Sequence, residues 1–102
     1  MILTEMNAAN ALNYIDPADM PEKVVTIYLP AIDNYLTNAT GKDWGILTDT
    51  YTAIDPLAVM IASVILVTWF EDPSQMGKVS NNGLLAMIGQ LHSKYMVESA
   101  TL

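Results

Sequence analysis

The chain contains no cysteine and no arginine, and only four lysines, one histidine and one phenylalanine. Without cysteine there is no disulfide, no thiolate nucleophile and no zinc–sulfur site. Proteins that grip DNA do so with clustered Lys and Arg. Here Lys23, Lys42, Lys78 and Lys94 are scattered among eleven acidic residues, for a net charge of −7. Neither tight DNA binding nor adhesion to an anionic membrane surface is expected from that balance. Long apolar runs are also missing. The longest, Leu57–Phe70, has fourteen residues and is interrupted by Ser63 and Thr68. A bilayer span needs about twenty, so a buried core helix is expected and no membrane partner. The start, Met1–Glu5, lacks a basic region and does not read as a secretory signal.

What the chain does have is apolar surface. Its 102 residues suit one domain, and 52% of them are apolar, more than a soluble domain of this size needs. The surplus points to a partner.

Proline and glycine divide the chain into four helical segments. The first, Thr4–Tyr14, has Thr4 as cap and Glu5 in the first turn, and is expected to end at Asp16-Pro17. The second, Pro21–Ala39, carries Val24, Val25, Tyr28, Leu29, Ile32, Tyr35 and Leu36 at helical spacing. Pro30 lies inside it and predicts a kink, and Thr40-Gly41 a stop. The third, Pro56–Glu71, starts with Asp55 as N-cap and is apolar on almost every face, which predicts burial all round, by other helices or by a neighbouring subunit. The fourth, Gly83–Tyr95, follows a cap at Asn81 or Asn82 and has the stripe Leu84, Met87, Ile88, Leu91 and Tyr95. The expected fold is therefore all-α, a small bundle of four helices. A long loop, Gly41–Ile54, joins helices 2 and 3, and Thr48–Thr52 within it is weakly compatible with a strand against a neighbour. The helical domain is expected over residues 1–95, with 96–102 a loose C-terminal tail.

The sequence holds no catalytic constellation. His92 has no second histidine for a metal and no orienting carboxylate one turn away, so it reads as a surface or interface residue. Glu71 and Asp72 are neighbours that point apart, a solvated helix end. Asp43 and Asp49 around Trp44 lack the alternating pattern of a calcium loop, and Gly41-Lys42-Asp43 is not a phosphate loop. Ser63 and Ser93 lack a nucleophile elbow. No catalytic residue, metal or cofactor is expected. Trp69 and Phe70 read as core. Loop Trp44 is equally suited to an interface or to packing over the helix ends. The candidate protein-interface residues are Trp44, Ile46, Leu47 and Tyr51 in the loop, and Met96, Val97 and Leu102 in the tail.

Three stretches together resemble the phage head–tail connector (adaptor) proteins, the HK97 gp-six-like and SPP1 gp-fifteen-like group. They are Tyr35-Leu36-Thr37-Asn38-Ala39-Thr40-Gly41-Lys42, the helix from Asp55-Pro56-Leu57 to Trp69-Phe70-Glu71-Asp72, and Gly83-Leu84-Leu85-Ala86-Met87-Ile88-Gly89-Gln90-Leu91. The chain departs from the family in having His92 where Arg often follows Gln-Leu, and Pro73-Ser74-Gln75 where Arg often follows the third helix. The resemblance implies a ring, matched to the portal as a dodecamer, that binds the portal protein and extends the DNA channel. DNA would pass through without specific binding. The ring would also offer a platform to the next neck protein, a stopper or tail-completion protein. The implied location is the virion, at the head–tail interface, after assembly in the host cytoplasm. The alternative from a different class is a small acidic cytosolic regulatory module that masks a basic partner.

Overall fold

The computed structural model describes residues 1–49 and 52–101. Four α-helices are present among them: α1 (Glu5–Ala11), α2 (Leu29–Thr40), α3 (Pro56–Glu71) and α4 (Asn82–Thr101), with no strand. The all-helical fold is as expected. No helix among the described residues is long and apolar enough to cross a membrane.

Local chemistry explains the boundaries. Thr4 caps α1, its Oγ1 accepting the Asn7 N–H at 3.0 Å. The helix ends earlier than expected, because Asn13 adopts a left-handed conformation, φ 65. The Asn13 N–H then reaches the Asn10 carbonyl and the Tyr14 N–H the Ala9 carbonyl, at 3.3 and 2.8 Å. This is a Schellman closure, with Asn in the place glycine usually takes. Asp16-Pro17 instead opens a short 3₁₀ turn, Pro17–Asp19, with the Asp16 carboxylate accepting the Ala18 N–H.

Pro30 leaves its mark before the proline itself. A π-helical turn, Val24–Tyr28, runs into α2, and the Leu29 N–H donates to the Val24 carbonyl five residues back. A widened turn is one way to relieve the crowding between a proline ring and the carbonyl of the preceding turn. At the other end Gly41, φ 87, stops α2, donating its N–H to the Thr37 carbonyl at 2.8 Å.

Asp55 caps α3 and Asn81 caps α4, through the N–H groups of Leu57 and Leu84, each at 2.9 Å. The residues expected as a separate tail continue α4 as helix through Thr101. Nothing after Gly89 breaks the helix, and Met96, Glu98 and Ala100 all favour it.

Helix α3 is the centre of the bundle and packs against α1, α2 and α4. Ala58, Ile61, Ala62, Ile65, Leu66 and Trp69 are all but inaccessible. Trp69 stands edge-on to Tyr35 of α2, centroids 5.8 Å apart, and Phe70 edge-on to Tyr28 at 6.0 Å. Burial all round is not what the structure shows, however. One side is left open, and Met60, Val64 and Thr68, one helical step of four apart, face solvent. Met60 is 49% exposed and Val64 40%.

Candidate protein interface

The connection from α2 to α3 is anchored by one buried hydroxyl. The Thr40 Oγ1–H donates to the Leu36 carbonyl at 2.7 Å, and the same oxygen accepts the Trp44 indole N–H at 2.8 Å. Trp44 is only 3% exposed, and the Lys42 ammonium sits 4.3 Å from its ring centroid. Of the two roles open to Trp44, packing within the chain is the one it takes here. Thr40→Val keeps the shape but leaves the indole N–H without its acceptor. A loss of about 1–3 kcal/mol in chemical denaturation is expected.

Around this anchor the ends of three helices meet. The His92 Nδ1–H of α4 donates to the Thr40 carbonyl at 3.0 Å, closing one of the open carbonyls at the end of α2. Lys94 of α4 donates to the carboxylate of Asp55, itself the cap of α3. Burial alone would raise the Asp55 pKa, but the bonds from Lys94 and the Leu57 N–H, with the lysine's charge, hold it below the ordinary 3.8. Burial also lowers Lys42, against the pull of Glu98 and Asp55.

A second carboxylate behaves in the opposite way. Asp33 on α2 accepts the Ile2 N–H at 3.1 Å and lies 3.7 Å from the Met1 ammonium. Burial nevertheless pushes it above 3.8, with Asp43 adding to the rise against those two favourable contacts. The signs then separate. The Asp55 contribution is present above its unfolded pKa and is lost as pH falls through its lowered folded value. The Asp33 contribution is present below its unfolded pKa and is lost as pH rises through its raised folded value. Asp55→Asn should therefore flatten the acid limb of stability against pH, below about pH 4. Asp33→Asn should flatten the limb on the other side. Urea titrations across pH 2–7 check both, and identical profiles for the two variants would contradict the assignment.

Ile46 and Leu47 stand 58% and 56% exposed beyond Trp44, and Met96 and Val97 stand 52% and 65% exposed on the last turns of α4. Tyr51 and Leu102 lie outside the described residues. His92 is exposed, as are Glu71 and Asp72, and Asp72 caps the 3₁₀ turn Pro73–Gln75 through the Ser74 N–H. Asp43 accepts the Gly45 N–H at 2.9 Å. Among the described residues no group of three or more His, Asp and Glu side chains is placed to hold a metal ion. Sequence reasoning missed Thr40 and Asp33 as organising residues, and it missed the open stripe on α3. No family model, curated protein or solved structure matches this chain.

Proposed function

We propose that this chain is a structural head–tail connector (adaptor) subunit of a tailed phage. Its copies close into a ring beneath the portal, extend the DNA channel, and give the next neck protein a surface to dock on. The reading assigns it no catalytic step, no metal and no cofactor, and places it in the virion.

The observation that carries the reading is the distribution of exposed apolar side chains. Met60 and Val64 on α3, Ile46 and Leu47 in the connection, and Met96 and Val97 on α4 are all between 40% and 65% exposed. Apolar surface left open on several elements suits a subunit with neighbours on more than one side. Heterologous contacts between unlike surfaces close into rings. The net charge of −7 fits a channel wall that repels phosphate and does not hold it.

The test pairs the purified chain with the portal protein encoded in the same genome, in negative-stain electron microscopy and co-sedimentation. A ring seated on the portal is expected. Met96→Glu with Val97→Glu should abolish portal binding with stability changed by no more than about 0.5 kcal/mol, since both side chains are outside the core. A dimer indifferent to the portal would favour the acidic regulatory module.

A further inference from the structure

Ile15 is 98% exposed, more than any other large apolar residue described. The chain on both sides of it is fastened. On one side Asn13 and Tyr14 are closed onto α1, and Tyr14 packs on the core. On the other, Asp16 caps the 3₁₀ turn and Pro17 restricts the backbone. Flanking turns that are already closed reduce the backbone ordering that binding through this side chain would require.

A matching cleft lies where the C-terminal end of α3 meets the start of α4. It has a volume of about 100 Å³, and Val79 with the nearly buried Ile65, Trp69 and Leu84 forms the apolar part of its lining, beside Gln75, Lys78 and Ser80. An apolar cavity of roughly 150 Å³ takes a benzene ring, so this space suits a four-carbon side chain. Two of the polar groups beside it are engaged within the chain. The Trp69 indole N–H donates to the Lys78 carbonyl at 2.8 Å, and the Asn81 side chain accepts the Leu84 N–H. An aliphatic occupant meets the apolar wall without leaving those two groups unpaired. Lys78 is the one charged residue in the lining, whereas Ile15 is followed by the exposed carboxylates Asp16 and Asp19.

We propose that Ile15 inserts into the α3–α4 cleft of a second copy of this chain, with Asp16 and Asp19 facing that copy's Lys78. Knob and hole are different surfaces of one chain, so the contact is heterologous and adds copies head to tail. The inference rests on the ring reading and names the contact that builds the ring.

Ile15→Asp, at a position outside the core, should raise the concentration needed for self-association by roughly tenfold or more. Lys78→Glu should weaken assembly, and Asp19→Lys in the same chain should restore it. Because the native chain has no cysteine, cross-linking is clean. A mixture of Ala18→Cys and Ser80→Cys chains, both keeping Ile15 and both altered at exposed positions, should form a disulfide-linked pair under mild oxidation, well beyond either alone. Wild-type assembly that survives Ile15→Asp unchanged, or a mixture that does not cross-link while it assembles, overturns this contact and leaves the ring reading standing. Cross-linking of Ser80→Cys to a different protein, with Ile15 uninvolved, overturns it too. A chain that stays monomeric at every concentration, with and without portal protein, removes both.

Discussion

Trp69→Ala should cost about 3–5 kcal/mol, the usual range for emptying a large aromatic site in a core. A domain of this size has only about 5–15 kcal/mol in total, so the variant sits near the threshold of folding. The loss has three sources. Trp69 is 1% exposed at the crossing of α2 and α3. Its ring edge-packs with Tyr35. Its N–H closes the turn after α3 through the Lys78 carbonyl. Trp69→Phe separates these. It keeps most of the packing and orphans only a carbonyl on an exposed residue, so a loss nearer 1 kcal/mol is expected. Thermal and urea unfolding of both variants check the ratio. Equal losses would mean that the hydrogen bond, and not the packing, dominates.

The second large effect is a single methyl group. A Cβ on Gly45 would lie 2.9 Å from both the Ile2 nitrogen and the Met1 carbonyl carbon. Those are backbone atoms and cannot rotate away. Gly45→Ala should therefore displace the N-terminal segment, which carries Ile2 and Leu3 into the core and bonds to Asp33 and the Gly45 carbonyl. A loss of about 1–3 kcal/mol is expected from overpacking, more if Ile2 is expelled. The same substitution at Gly89 gives the contrast. A Cβ there meets nothing within 4 Å inside α4, so Gly89→Ala should stabilise by about 0.5–1 kcal/mol through higher helix propensity. Two glycine-to-alanine changes with opposite signs isolate the contact from the propensity.

Much of this architecture was legible from residues with one dominant local role. Asp55-Pro56 can hardly do anything except start a helix, and Gly41 with its positive φ ends one. The stripes on α2 and α4 mark the buried positions because 3.6-residue spacing admits one inward face. Other features depended on competition between local and tertiary terms. Asn13 took the left-handed position and ended α1 before Asp16-Pro17 acted. Pro30 was visible as a disturbance, yet its relief as a π turn upstream needed the rest of the helix to be held in place. The chain after Tyr95 reads as a tail because its apolar stripe ends, but helix propensity and an absence of breakers carry α4 onward.

The candidate interface was harder to place, and the reason is physical. Apolar residues look alike in a sequence whether they pack inward or wait for a partner. Trp44 is held by a hydroxyl four residues earlier, a relation that exists only once α2 has ended. Ile46 and Leu47, two and three residues on, stay outside. On α3 the pattern is apolar all round, and only the number of available neighbours decides that Met60 and Val64 are left open. Ile15 belongs to no helical stripe, and nothing in its neighbours marks it until the two turns beside it close.

In the proposed assembly these open apolar side chains meet further copies of the same chain. Native mass spectrometry of the purified chain over a range of concentrations tests that assembly directly. One closed species with a fixed number of copies, dissociating on dilution, is expected. A monomer at every concentration, still monomeric when portal protein is added, would contradict it.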